Sequence, residues 1–236
     1  MNRGTYWPFY ICAVAALTFV AISLEFWGAA EIRATVSELF FLTLVAVVWL
    51  ILMTKLFPWF GLSLRDDAVE RKNPSALIAI CGAVLALGLI YAGANVGEGP
   101  SFTNNFFCDA IGTASFFLLW FFLELFGKFS RSITEDRDLA TGLRTFGLLL
   151  AFGLMIGRAL AGDWHSEEAT VRDFIRDAWP VAILLVLALI VEPIARPNRR
   201  QSIRPWLVYG LLSGALYISL AAVWLWHVGP WEGFHK

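Results

Sequence analysis

Residues 70–95 read ERKNPSALIAICGAVLALGLIYAGAN, and residues 135–162 read EDRDLATGLRTFGLLLAFGLMIGRALAG. Each opens on an acid, two ionisable residues and Asn or Asp, then enters an apolar run punctuated by glycines. At an offset of 65 residues Glu70 falls on Glu135, Gly82 on Gly147, Gly88 on Gly153 and Ala94 on Ala159. An offset of that length holds two membrane passes and their loops, so the repeating unit is a helical hairpin. Two passes return the chain to its starting side, which gives the copies, roughly 37–95 and 105–161, one orientation, as in parallel repeats.

The rest of the composition agrees with a lipid setting. Hydrophobic residues make up 58% of the chain and charged residues 16%, against about 25% charged in a soluble domain. A spanning helix needs roughly 20 mostly apolar residues. Seven stretches meet that length, near 8–28, 37–57, 75–95, 105–127, 141–161, 178–195 and 206–227. Helix is required because lipid offers no partner to an open backbone amide, and long apolar runs lack the alternation of a barrel strand. The fold class expected is therefore an all-α polytopic bundle of about seven spans. It divides into an N-terminal anchor span (1–36), a first hairpin (37–100), a second hairpin (101–162), and an amphipathic segment with a C-terminal hairpin (163–236). The first span reads as an uncleaved anchor, since its apolar run exceeds the roughly 7–15 residues of a signal peptide.

Lys and Arg in short loops are retained on the cytoplasmic side. In the seven-span arrangement 13 of the 18 basic residues fall on one side, which places the N-terminus in the cytoplasm and the C-terminus outside. Cys12, Cys81 and Cys108 lie inside spans with no ligand spacing, so no metal, cofactor or disulfide framework is indicated. With a net charge of −1 and no basic stripe outside the loops, no nucleic-acid partner is expected.

The polar clusters have a local use. Asn73 is a good N-cap and Pro74 suits the first helical position. Asp138 caps the second copy, or Ser132 with Glu135 supplies a capping box to an earlier start. Glu70 and Glu135 favour the positive end of the helix dipole. The glycines answer to packing, because close backbone approach through small residues holds helices together in lipid. Gly82, Gly88 and Ala92 in one copy, and Gly147, Gly153 and Gly157 in the other, mark the third and fifth spans as the buried, facing helices. Gly210 and Gly214 extend the pattern to a degenerate third hairpin.

A charge within a bilayer is costly and often functional. Around the centre of the second hairpin, Glu124 lies as deep as Arg144, and Asp109 as deep as Arg158. Asp109 and Glu124 fall about 60° apart on their helix, and Arg144 and Arg158 about 40° apart on theirs. Two acid–base pairs, Glu124 with Arg144 and Asp109 with Arg158, are expected across the hairpin. Three readings stand: structural pairs that snorkel to the interfaces, a polar pathway or gate, and a contact to another subunit. Glu25, Lys55 and Glu192 lie near span ends, where snorkelling is the default. Between the spans, DWHSEEATVRDFIRDAW (163–179) places Val171, Phe174, Ile175 and Ala178 on one face behind a Ser166 cap, an amphipathic helix for the outer surface. His165 with Asp163, Glu167 and Glu168 reads as a solvated acidic cap before it reads as a cation site. Trp7, Trp59, Trp164, Trp179, Trp206, Trp224, Trp226 and Trp231 cluster at span ends as an interfacial belt.

The paired pattern of acid, Asn or Asp, then a Gly- and Ala-rich pass resembles the domain of unknown function 350 family, the YjfL-like bacterial inner-membrane proteins. The resemblance covers roughly residues 40 to 162 and rests mostly on Glu70, Asn73, Ala76 and Gly82. The second copy departs from it in carrying Asp138 where such proteins usually have Asn, and the chain adds spans to the usual four-helix form. No molecular activity comes with the family. The family implies a bacterial inner membrane, and some relatives are encoded beside phage-shock-type membrane-remodelling proteins, which implies an envelope role and no more.

No H-E-x-x-H, G-x-S-x-G or phosphate-binding Gly loop occurs, so no enzyme is expected. Two functions remain: an ion or small-solute conduit or a subunit of one, and a membrane scaffold that recruits a cytoplasmic envelope-stress or remodelling partner. The partners that go with them are the lipid bilayer, further copies of the chain as a homo-oligomer, and a cytoplasmic protein at the basic inner loops, above all PNRRQSIR at 197–204.

Overall fold

The structure, a computed structural model, describes residues 6–99, 102–197 and 205–229. Among them run ten α-helices and no strand: α1 Trp7–Trp27, α2 Ala30–Ala34, α3 Val36–Thr54, α4 Pro74–Ala94, α5 Phe102–Phe122, α6 Phe129–Thr134, α7 Leu139–Leu160, α8 Glu167–Ala178, α9 Pro180–Ala195 and α10 Ser213–Val228. Wider π-type turns extend α5 through Leu123–Gly127 and lead into α10 over Leu207–Leu212. Six helical segments are long and apolar enough to cross a membrane, and α8 with α9, bent by 41° at their junction, brings the number to seven if the pair is one span. The chain is an all-α, multi-pass membrane protein. Arg199, Arg200, Arg204, Trp231 and Lys236, which entered the loop and belt expectations, lie outside the described residues.

Helices α4 and α7 form the centre. Of their apolar windows 78% and 72% is buried, against 17–22% for α1, α3 and the α10 segment. They run side by side in the same direction. Gly82 faces the Phe146 backbone, Gly153 faces Ala86, and Gly157 faces the Leu89 carbonyl, each so close that an added Cβ would overlap its neighbour. Two further helices use the same device. Gly88 turns to Ala16 of α1 rather than to α7, while Gly147 meets Gly214 of the α10 segment. Ala92 packs in a satellite cluster with Val20 and Leu24 of α1.

The two starts share local geometry. Asn73 accepts from the Ser75 and Ala76 amides, and Asp138 from the Thr141 amide. The residue before each cap, Lys72 at φ 51° and Arg137 at φ 52°, is left-handed. The bond from the Asn73 amide to the Asp67 carbonyl recurs at the same offset as that from Asp138 to Ser132. The starts are also tied to each other, because Asn73 Nδ2 donates to the Ile133 carbonyl and Ser75 Oγ to the Asp138 carbonyl, both at 2.7 Å. Glu70 and Glu135 do not join them. The left-handed residue turns the chain between acid and cap, and each acid pairs in solvent, with Arg65 and Arg131 at 3.0 Å.

Candidate functional site

Thr141, Arg144 and Thr145 share one face of α7 by helical spacing. Arg144 has no exposure at all. Its Nη2 lies 2.6 Å from Glu192 Oε2 and its Nε 3.1 Å from the same oxygen. Nη2 also donates to Thr141 Oγ1 at 3.2 Å, and Nη1 donates to the Tyr209 carbonyl in the turn before α10. Thr141 Oγ1 in turn donates to Asp138 Oδ2 at 2.7 Å, so the ion pair is continuous with the helix-start network. Desolvating two charges costs several kcal/mol per ion, and only good geometry with further hydrogen bonds offsets it. Here three polar atoms have no partner among the described residues: Glu192 Oε1, Thr145 Oγ1 and Tyr217 Oη. Tyr217 lies within electrostatic reach of both members of the pair.

Both pairs expected across the second hairpin are replaced. Glu124 accepts from the Ser130 amide at 3.0 Å and from Ser130 Oγ at 2.6 Å, beside Gly61 at φ 80° whose missing Cβ makes room for Ser130. Asp109, 2% exposed, faces Asn95 Nδ2 at 3.2 Å, and its Oδ1 and Asn95 Oδ1 both lack a partner among the described residues. Arg158 donates through Nε and Nη2 to the Gly229 carbonyl, both at 3.1 Å. Equal depth in a hairpin fixes height but leaves direction around the helix free. Arg144 points to α9 and α10, not back to α5. Glu192 does not snorkel either: it is 1% exposed, held inward by the arginine.

At the end opposite the basic loops, Arg158 forms part of the wall of a cavity of about 710 Å³ with Trp164, His165, Asp177, Trp224 and His227. Its roof is α8, capped by Ser166 on the Ala169 amide. The buried face of α8 is centred on Thr170 and Phe174, whereas Ile175 is exposed; the helix packs on the end of α7 instead of lying free on a surface. Trp164 departs from the belt as a buried wall residue, whereas Trp7, Trp59, Trp179, Trp206 and Trp226 are exposed. Asp163, next to His165, accepts from the Glu98 amide. No group of three metal-ligating side chains forms among the described residues.

The sequence reading missed the roles of Glu192, Tyr217 and Gly61. A carboxylate inside VLALIVEPIA (186–195) was the available signal for the first. The other two carry none, because their roles depend on contacts between distant segments.

Residues 26–160 match the family described as Domain of Unknown Function (DUF350). No curated protein and no solved structure matches the chain.

Proposed function

We propose that the chain, which belongs to the DUF350 family, is a membrane-embedded subunit of a conduit for an ion or small solute. The observation that carries this reading is the buried Arg144–Glu192 pair, with three polar atoms around it that have no partner among the described residues. Ionisable groups at such depth are rare and mark ion pathways or proton relays. Glu124 lies within electrostatic reach of Glu192, which places a second carboxylate beside the pair. The path runs beside α7 on the side of α5 and α9, since the α4–α7 seam and the Gly147–Gly214 contact with the α10 segment are both closed by backbone approach. Copies of the chain complete the conduit as a homo-oligomer, in a bacterial inner membrane with the N-terminus cytoplasmic. No catalytic role is assigned.

The closed seam favours a second reading, a scaffold that recruits a cytoplasmic protein at its basic loops. Ion flux across liposomes holding the purified protein separates the two. A conduit gives flux above protein-free vesicles, and Arg144→Gln with Glu192→Gln alters it in protein that stays folded. Flux equal to empty vesicles for every ion tried leaves the scaffold.

A further inference from the structure

We infer that the protein holds one phospholipid at the end opposite the basic loops, its phosphate in the polar chamber under α8 and an acyl chain in an adjoining apolar slot. This rests on the membrane-spanning fold and is independent of conduction. The slot, about 190 Å³, lies between α1 and the α10 helix, walled by Phe19, Trp27, Leu89, Leu154 and Leu225 and floored by Gly93 and Gly157. Chamber and slot meet at Arg158 and Ala161, which line both. A cationic side chain therefore stands where a polar space passes into an apolar one.

The groups beside Arg158, at the junction of chamber and slot, point to an oxyanion there, although the chamber lining as a whole holds Asp163, Asp173 and Asp177 against Arg158 and Arg176. Arg158 bonds only to a neutral carbonyl and has no carboxylate within ion-pair distance among the described residues. The acids of the lining have their own partners: Asp173 and Asp177 pair with Arg176 at 2.9 and 3.0 Å, Asp177 also lying within electrostatic reach of Arg158, and Asp163 accepts from the Glu98 amide. Trp164 in the same wall is 8% exposed, and its indole N–H has no partner among the described residues. The planar fork of the guanidinium matches a phosphate. A free phosphate would satisfy the chamber alone. Only a ligand that joins a phosphate to a hydrocarbon chain occupies both spaces.

The test is native mass spectrometry of the full-length protein, delipidated and titrated with phosphatidylethanolamine or phosphatidylglycerol. Arg158→Gln removes the anion's partner, and Leu154→Phe narrows the slot without touching the chamber. Leu118→Phe, on the exposed face of α5, serves as the control. The expected result is one tightly held lipid per chain in wild type and control, binding weaker by about tenfold or more in Arg158→Gln, the scale of one lost charged hydrogen bond, and weaker binding in Leu154→Phe, whose ring fills part of the slot. Soluble glycerophosphate should not displace the lipid. Equal retention in all four proteins would overturn the inference, since the lipid would then be annular. Displacement by glycerophosphate with Leu154→Phe unaffected would also overturn it, reducing the site to one for soluble phosphates.

Discussion

Replacing Glu192 by Gln leaves Arg144 charged, fully buried and without its carboxylate, and replacing Arg144 by Gln does the converse. Each single change should cost roughly 3–5 kcal/mol, because one uncompensated charge remains in the interior. The double change should cost less than the sum, with a coupling of roughly 0.5–3 kcal/mol. Thermal and denaturant unfolding in detergent measures this. Asp109→Asn with Arg158→Gln provides the contrast. Their side chains end on Asn95 and Gly229, so the effects should add to within about 0.5 kcal/mol; coupling beyond that would restore the pairing expected from the sequence. The partner of Arg144 was not legible because helical spacing gives depth and relative angle on one helix, while the choice among neighbours belongs to the packing of α9 and α10 around α7.

At the level of elements, the small residues of α4 and α7 set the distance between the central helices. Gly82→Leu and Gly153→Leu place branched side chains against the backbones of Phe146 and Ala86, an overpacking that costs at least about 1–3 kcal/mol. Leu118→Ala, at a position 55% exposed, should leave folding nearly unchanged. Size-exclusion profiles and melting temperatures of the three variants decide it, and equal behaviour would show that the seam tolerates separation. Asn73→Ala removes a cap and also strips the Ile133 carbonyl of its donor, for a loss of about 1–2 kcal/mol. Much of this was legible: the caps at Asn73 and Asp138 follow from residue type, and a stripe of small residues signals close approach. The exposed pairing of Glu70 and Glu135 was not, since it depends on a left-handed residue that lysine and arginine do not announce.

For the whole molecule, composition and run length were enough for an all-α, multi-pass bundle, because the bilayer removes every alternative except helices and closed barrels. Which surfaces meet at the polar cluster was not readable, since Glu192, Tyr209 and Tyr217 arrive from segments 48 to 73 residues beyond Arg144. The orientation rests on charge asymmetry. A periplasmic reporter fused in the loop after α7 should be active and one fused after Arg196 inactive; reversed activities would invert the topology. The conduit itself turns on whether water and ions reach the Arg144 cluster. Thiol labelling with a membrane-impermeant reagent addresses this most directly, using Thr145→Cys with Cys12, Cys81 and Cys108 replaced, beside a protein that keeps only the native Cys81, 4% exposed on the side of α4 that meets Cys12 of α1. A conduit predicts that Thr145→Cys reacts, and faster than Cys81, in membranes where the protein is folded. A Thr145→Cys thiol as silent as Cys81 would contradict it and leave the buried pair as a fastening between helices.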